Sequence, residues 1–400
     1  MRFKTQPGMK AGCAALLAVL LVTGCMYQSE ETSIPPLSPA GGRVDPGLGP
    51  EAQPLSSGPG YKGSPSWSPQ GDRIAFTVDG YVMDEPLDAG DARRWTTRDF
   101  VAEDVEWTSE SSLAIFGAAN PLAGASRSVY RARSEQGSLG VKEIATKVLA
   151  MSPGPGGENV IVARETGPYE SGLALMHDNG MIDKLYTSTI EGRVTGISLS
   201  PDGRKAALAV RTTGDLFELH TFDLRGGAHQ KIARLNGGLE IFGAPQWTKR
   251  GICYVVGKEE TSNDGSAAPL YDLYSIQPGP GRPEPTPGVG EDFVASSIRV
   301  SPDGERLAVI GRLNPKAPIN LYVLDLAAED LEAVTTNEDM EIKTGPDDLA
   351  WSPGGRSVAI VARGANSEEP VVRAAPKGAL LEDFYNLYEI PIEDQGEMGR

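Results

Sequence analysis

The stretch Trp67-Ser68-Pro69-Gln70-Gly71, followed by the strand-like Ile74-Ala75-Phe76, decides the fold, because its pattern returns along the whole chain. Each copy joins an apolar segment ending near Trp or Val to a Ser-Pro-x-Gly-like turn and then to a second aliphatic segment. The seven copies start near residues 65, 103, 148, 194, 243, 295 and 346. A repeat with a period of about 38 to 52 residues indicates stacked copies of one supersecondary unit.

The turn in these copies follows from the conformational preferences of its residues. Proline fixes φ near −65°, aspartate hydrogen-bonds to its own backbone, and glycine accepts the positive φ of a tight hairpin. We therefore assign a structural role, as hairpin corners, to the turn residues and their preceding Trp. In the clearest copies these are Trp67, Pro69, Gly71, Pro201, Asp202, Gly203, Pro302, Asp303, Gly304, Trp351, Pro353 and Gly355.

Further strands follow each turn. A third strand with alternating apolar residues is predicted in every copy, for example at Asn320-Leu321-Tyr322-Val323-Leu324, and a fourth, more polar strand often comes after it, as at Arg93-Arg94-Trp95-Thr96. Four strands in a repeat of this length are typical of one blade of a β-propeller. The sequence therefore predicts an all-β protein, a β-propeller with seven four-stranded blades, and six blades are the alternative.

The repeats resemble the WD40-like (PD40) repeats of TolB-type β-propellers. The first copy carries the resemblance best, with Trp67-Ser68-Pro69 at its turn and Tyr81-Val82-Met83-Asp84 in its third strand. The resemblance covers roughly residues 61 to 392, and the copies near 103 and 243 depart from it because they lack the Ser-Pro-x-Gly turn. The TolB propeller itself is understood to have six blades. The resemblance implies protein–protein contact in the cell envelope, with the mouth of the central tunnel as the usual docking surface.

A closed ring needs one blade built from both chain ends. Residues 393–400 make a poor fourth strand, so the missing strand would come from residues before Tyr61. That stretch contains Pro50, Pro54 and Pro59, which only an edge strand tolerates. Incomplete closure, or six blades with an irregular domain, stays open at this point.

The N-terminus contains a second informative pattern. Three cations precede a short apolar run over residues 14–22, which suits the hydrophobic region of a signal peptide and is too short to span a bilayer. The run ends in Val22-Thr23-Gly24-Cys25, which resembles the lipobox of bacterial lipoproteins. The resemblance implies cleavage before Cys25 and acyl chains on that residue. An ordinary secretory signal or a short membrane anchor is the alternative.

These patterns divide the chain into three parts. Residues 1–24 are a lipoprotein signal peptide, residues 25–60 are the lipidated Cys and a flexible tether rich in Pro, Gly and Ser, and residues 61–400 are the propeller. Cleavage would change the formal net charge from −17 to −20. A surface with this much negative charge repels nucleic acid and anionic lipid headgroups. The acyl chains would therefore hold the protein at the cell membrane or outer membrane, on the extracytoplasmic side.

Motifs for catalysis or cofactor binding are not found in the sequence. His177, His220 and His229 lie in different repeats without metal-binding spacing, and no Gly-x-Ser-x-Gly segment occurs. We interpret His220 as structural or surface-exposed and Cys253 as a buried apolar residue. Two acidic clusters are interpreted as solvated surface charge, with calcium binding as the alternative. They are Asp79, Asp84, Glu85, Asp88 and Asp91, and Glu338, Asp339, Glu341, Asp347 and Asp348.

The sequence therefore predicts a binding protein and not an enzyme, with no cofactor and no metal. We expect an interaction scaffold or accessory subunit that has an envelope protein as its partner and is attached to the membrane through its lipid. The alternative is a receptor that binds a small ligand, such as a sugar or peptide, in the propeller tunnel. An enzyme would require acids or histidines that converge at the tunnel mouth.

Overall fold

The fold is known from a computed structural model, which describes most of the repeat region. The described residues are 48–49, 52–56, 60–88, 90–97, 100–119, 126–135, 138–154, 159–177, 181–186, 188–236, 238–261, 267–337, 340–364 and 385–392. The lipobox residues Val22, Thr23, Gly24 and Cys25 lie outside them. Within the described residues, no helix is long and apolar enough to cross a bilayer.

The chain forms seven antiparallel sheets in sequence order, and these are the blades of a seven-bladed β-propeller. The strands of blades one to three are β2 (Lys62–Trp67), β3 (Arg73–Val78), β4 (Tyr81–Pro86), β5 (Arg93–Arg94), β6 (Val101–Ser109), β7 (Ser112–Ala118), β8 (Ser128–Glu135), β9 (Ser138–Thr146), β10 (Val148–Pro153), β11 (Asn159–Gly167), β12 (Glu170–His177) and β13 (Ile182–Leu185), with β14 (Ile190–Glu191) added beside β12. This confirms the predicted fold class and decides between seven blades and six.

The remaining blades repeat the same order. Blades four to six consist of β15 (Arg193–Leu199), β16 (Lys205–Arg211), β17 (Phe217–Asp223), β18 (His229–Arg234), β19 (Glu240–Thr248), β20 (Gly251–Thr261), β21 (Ala267–Ile276), β22 (Glu284–Pro285), β23 (Val294–Val300), β24 (Arg306–Arg312), β25 (Asn320–Asp325) and β26 (Asp330–Ala333). Blade seven consists of β27 (Met340–Ile342), β28 (Leu349–Trp351), β29 (Ser357–Gly364), β30 (Asn386–Pro391) and β1 (Gln53–Pro54).

Blade seven is completed by the N-terminal side of the chain. β1 pairs with β30, so that Gln53 lies opposite Glu389 and Pro54 opposite Tyr388. As the prolines require, β1 is an edge strand. The Leu55 N–H donates to the Leu387 carbonyl at 2.8 Å. The folded part of the chain thus includes Gln53 and Pro54, which precede Tyr61.

The Ser-Pro-x-Gly turns share one set of hydrogen bonds. At Ser301 the carbonyl accepts the Gly304 N–H at 2.9 Å, and the hydroxyl donates to Asp303 while accepting the Arg306 N–H. Gly304 has a φ of +76°, which favours glycine. The equivalent glycines in the first, fourth and seventh blades also have positive φ, so four copies build the same corner.

The apolar core lies between blades. Trp67 and Phe76 of blade one, for example, pack in one cluster with Ala359 and Leu387 of blade seven, and Leu55 belongs to the same cluster. Because every sheet buries both faces against its neighbours, the strands carry runs of buried residues instead of a simple alternation. The loops between second and third strands, and those between blades, lie on one face of the ring, whereas the Ser-Pro-x-Gly turns lie on the other.

The closing contact leads to a first prediction. Replacing the buried Leu55 by Ala should lower the free energy of unfolding by about 2 to 4 kcal/mol, because it leaves a cavity where β1 joins the ring. Leu313→Ala, at a largely exposed leucine, is the matched control and should change it by less than about 0.5 kcal/mol. Urea unfolding followed by tryptophan fluorescence measures both. Equal losses in the two variants would show that β1 does not stabilise the ring.

Candidate functional site

One repeat position connects the inner edges of the blades. It immediately precedes the Trp of each copy, or the Met, Leu or Val in its place. Its occupants are Ser66, Glu106, Ala150, Ser198, Gln246, Arg299 and Ala350.

Three polar residues at this position bind the backbone of the next blade. The Ser66 hydroxyl accepts the Trp107 N–H at 3.1 Å, and the Ser198 hydroxyl accepts the Trp247 N–H at 3.2 Å. Gln246 Oε1 accepts the Val300 N–H at 3.2 Å. An innermost strand has no strand partner on its inner side, so these side chains satisfy backbone donors that would otherwise lack a protein partner.

The two charged occupants of the position, Glu106 and Arg299, lie with Ser66, Asp104 and Asp347 in what we call the lumen cluster, defined as these five residues. The Ser66 hydroxyl donates to Glu106 Oε2 at 2.9 Å. Arg299 Nη2 lies 3.8 Å from Glu106 Oε1 and 3.9 Å from Asp347 Oδ1, and its Nε donates to the Leu349 carbonyl at 3.4 Å. One guanidinium is therefore shared by several acceptors.

The lumen cluster connects parts of the ring that are not adjacent. Glu106 belongs to β6 in blade two, and Arg299 belongs to β23 in blade six. Blades seven and one lie between these two along the shorter way round the ring. Asp347 precedes β28 of blade seven, so the ion pairs cross the interior of the ring and connect three blades.

The environment of the carboxyl groups in the lumen cluster shifts their pKa values. Burial, reinforced by Asp347 and Glu106, raises the pKa of Asp104 well above its ordinary value. Burial also raises the pKa of Glu106 and that of Asp347, although Arg299 opposes both shifts. Burial alone would lower the pKa of Arg299, but the neighbouring carboxylates raise it above its usual range. The cluster therefore holds protons more tightly than isolated acids do.

Chemically, the lumen cluster offers carboxyl groups with raised pKa values beside a fixed cation. Its side chains are partly exposed, so water reaches them. With three carboxyl groups and one guanidinium it favours a cationic or hydrogen-bond-donating group over an anion. Among the residues that the structure describes, no group of three or more His, Cys, Asp or Glu side chains is placed to hold a metal ion.

The prediction of solvated charge is wrong for several members of the two acidic clusters. Asp84 is fully buried and accepts from Arg73 Nε at 2.7 Å and from Arg93 Nη2 at 2.5 Å. Asp348 is buried and pairs with Lys343 at 2.9 Å. Strand pairing places Asp84 beside its arginines, whereas the connection between β27 and β28 holds Lys343 and Asp348 together. A buried carboxylate requires such partners. Glu338 and Asp339 lie outside the described residues.

His220 takes part in a local charge network of blade four. Its Nε2 lies 3.0 Å from Glu218 Oε2, and Lys231 and Arg234 bind the same carboxylate. Burial would raise the pKa of Glu218, but these hydrogen bonds lower it to about 2. Burial lowers the pKa of His220, which indicates a neutral ring that donates from Nε2. These contacts, and the stacking of His220 on His229, lie within one blade. They agree with the structural role predicted for His220.

Cys253 lies in β20 and is buried, as predicted. Burial raises the pKa of its thiol to about 12, so the thiolate does not form at neutral pH.

The sequence analysis did not single out Asp104, Glu106 or Arg299. The available signal was the alignment of the repeats at the position before Trp, where a glutamate and an arginine replace Ser, Ala or Gln. That alignment shows which residues share a position. It does not show which of them meet, because the contact depends on where each blade lies in the ring.

Comparison with known proteins agrees on the fold. No family model and no curated protein matches the sequence. Among solved structures, an oligogalacturonate lyase from Vibrio parahaemolyticus aligns with a TM-score of 0.56 at 10% identity, over 86% of this chain and 94% of its own. At this identity the similarity shows the fold alone, and the fold is one that an enzyme also uses.

Two TolB structures also align with this chain. A TolB from Acinetobacter baumannii aligns with a TM-score of 0.44 at 13% identity, over 80% of this chain and 76% of its own. A protein assigned as TolB from Agrobacterium tumefaciens aligns with a TM-score of 0.42 at 15% identity, over 85% and 93%.

The lumen cluster leads to a second prediction. Arg299→Gln should lower the free energy of unfolding by about 1 to 2 kcal/mol at pH 8, because it leaves three partly exposed carboxylates facing one another inside the ring. A carboxyl group whose pKa is higher in the folded state than in the unfolded state, where it is about 4, lowers the stability of the fold as the pH rises above that value. At lower pH the carboxyl group is protonated, and the repulsion disappears. The loss should therefore shrink by about half at pH 5.

Urea unfolding at the two pH values measures this difference. Arg204→Gln is the matched control, because the Arg204 side chain is exposed and its ion pair with Asp202 is long, at 3.7 Å. It should change the free energy of unfolding by less than about 0.5 kcal/mol at either pH. A loss in Arg299→Gln that is independent of pH would contradict the electrostatic role of Arg299.

Proposed function

We propose that this chain is a lipid-anchored, extracytoplasmic propeller that serves as an interaction scaffold or accessory subunit for another envelope protein. Val22-Thr23-Gly24-Cys25 supports the anchor, since several acyl chains at about 0.8 kcal/mol per buried methylene give stable attachment without a membrane-spanning helix. The TolB-type resemblance of the repeats supports a partner in the envelope. The fold itself is compatible with many functions, so the argument rests on a surface.

The observation that carries the proposal is a partly exposed aromatic and apolar patch where blades seven, one and two meet. We call it the seam patch, defined as Tyr61, Val101, Lys343 and Tyr385. Tyr61 is 46% exposed and Val101 is 40% exposed. The ring of Tyr61 contacts that of Tyr385 edge-on at 5.2 Å, and Lys343 Nζ lies 4.7 Å from the Tyr61 ring centre.

One turn holds the two exposed members of the seam patch together. The Asp79 N–H donates to the Tyr61 carbonyl, and a Cβ on Gly80 would lie 3.3 Å from Val101 Cα. Tyr61 and Val101 thus flank the same rigid turn on the loop-bearing face of the ring. Tyrosine is enriched in binding hot spots, and binding residues concentrate on loops that a rigid scaffold positions.

The third prediction tests this surface in the native membrane. After crosslinking and purification through a C-terminal tag, mass spectrometry should find an envelope protein in near-stoichiometric amount with the unaltered chain. Cys25→Ser should reduce its recovery, and Tyr61→Asp with Val101→Asp should abolish it. Tyr169→Asp, at an equally exposed tyrosine of blade three, is the control that should keep the partner. No partner at near-native abundance would refute the scaffold role.

A second candidate function is favoured by the lumen cluster. Carboxyl groups that converge with an arginine inside a closed ring could recognise a small ligand such as a sugar or peptide. The excess of carboxyl groups favours a ligand with an amino group and disfavours an anionic sugar such as the substrate named for the lyase.

The fourth prediction separates this candidate from the scaffold. If the lumen binds such ligands, a lysine-containing dipeptide at 100 times its Kd should stabilise the chain by about 2.7 kcal/mol and raise its Tm. The rise should disappear in Glu106→Gln, whereas Glu305→Gln, at an exposed glutamate, should keep it. No change in Tm with millimolar dipeptides or neutral disaccharides would reject the receptor.

A further inference from the structure

We propose that the outer edge of blade two binds an extended, acidic segment of another protein, which adds to β9 as a fifth strand. This surface is separate from the seam patch, and it goes beyond the scaffold role because it specifies the backbone geometry and the charge of what binds.

The length of β9 is the first observation. β9 has 9 residues, whereas the other outer strands have 2 (β1, β5 and β22), 4 (β13 and β26) or 6 (β18). Among the described strands, β9 pairs only with β8. Its other side therefore presents a long row of backbone donors and acceptors, which is the template that an added strand requires.

The second observation is that β9 exposes apolar side chains on one face. Leu139 is 40% exposed and Val141 is 42% exposed, and residues two apart in a strand share a face. Val141 lies opposite Ala132, which packs in one cluster with Trp95 of blade one. Directly opposite residues share a face, so Leu139 and Val141 face blade one.

Blade one leaves this apolar face uncovered because its outer strand, β5, ends after Arg93–Arg94. The opposite face of β9 is also open at Gly140, where a Cβ would meet no atom within 4 Å. An incoming strand that pairs with β9 thus finds an apolar surface for its alternate side chains on one face and no obstruction at Gly140 on the other.

Local charge specifies the chemistry of the incoming strand. The chain has a formal net charge of −17, yet on or beside the outer strands of blades one and two the exposed Arg94, Lys142 and Lys147 outnumber the exposed Asp91 and Glu143. A locally basic edge on an acidic molecule favours an acidic segment through charge complementarity.

A second copy of β9 fits this edge less well than an acidic segment does. Pairing of two β9 strands over their full length around a twofold axis would place Lys142 opposite Lys142, and like charges directly opposite are destabilising. The partner is therefore an extended segment in which carboxylates alternate with aliphatic side chains.

The fifth prediction uses the full-length protein, purified in detergent, and a fluorescein-labelled nine-residue peptide of alternating Val and Glu. Fluorescence anisotropy should show binding that weakens as salt is raised from about 0.05 to 0.5 M, because the charges are screened. A Val/Lys peptide should bind at least about tenfold more weakly. The Val/Glu peptide with alternate backbone nitrogens methylated should also lose at least about tenfold, because it cannot complete the strand ladder. Equal binding of the methylated peptide would overturn the proposal.

Matched variants locate the site. Val141→Glu with Lys142→Glu should weaken binding at least about tenfold, whereas Leu313→Glu with Lys316→Glu makes the same charge change at exposed positions of blade six and should not. Circular dichroism and urea midpoints check folding, and the single exposed change Lys142→Glu replaces the pair if the pair does not fold. Unchanged binding in a folded variant would overturn the site.

Two further readouts distinguish the alternatives. Sedimentation that shows a dimer, lost in the β9 variant, would replace the acidic segment with a second copy and so refute the proposal. The seam variants Tyr61→Asp and Val101→Asp should still bind the peptide. Failure at β9 is thus separable from failure of the envelope-scaffold function, which is measured by recovery of a partner from the membrane.

Discussion

The antiparallel pairing of β1 with β30 is the contact on which the rest of this structure depends. Each sheet buries its two faces against the sheets on either side, so a ring with one open interface would leave two apolar faces in water. At that interface the indole of Trp67 donates to the Ala350 carbonyl at 3.2 Å, and the buried Lys62 donates to Asn386 Oδ1 at 2.9 Å. Lys62 is 2% exposed, and burial lowers its pKa to about 8.

Much of the architecture could be predicted from the sequence because it is set by local chemistry. The corner at Ser301-Pro302-Asp303-Gly304 is built from residues that favour a tight turn, and its hydrogen bonds are made within five residues. Even the closing strand could be placed, since only the stretch before Tyr61 was left to supply it. The first residue of the folded region could not be predicted from the repeats, because the two residues of β1 are too few to show an alternating pattern.

The side-chain pairings could not be predicted, because they depend on contacts between separate strands and not on local chemistry. In the sequence, Asp84 is one member of an acidic cluster, and only strand pairing places it between two arginines. Glu106 and Arg299 occupy equivalent positions in different repeats, and only the closed ring brings them within 3.8 Å. At that same repeat position, Ser66, Ser198 and Gln246 bind the backbone of the next blade. The charged Glu106 and Arg299 instead contact each other across the interior of the ring. The propeller thus varies its interior chemistry without changing its backbone.

The pairing of Gln53 with Glu389 also sets the order in which the chain can fold. The N-terminal strand leaves the ribosome first, and at about 5 to 20 residues per second its partner follows tens of seconds later. Such distant contacts fold slowly, since the entropy of closing the large loop is lost before the last interface forms. Until blade seven has been synthesised, the face of blade one that contains Trp67 and Phe76 is not covered by a neighbouring blade. The nascent first blade therefore exposes an apolar surface that a holding chaperone would recognise.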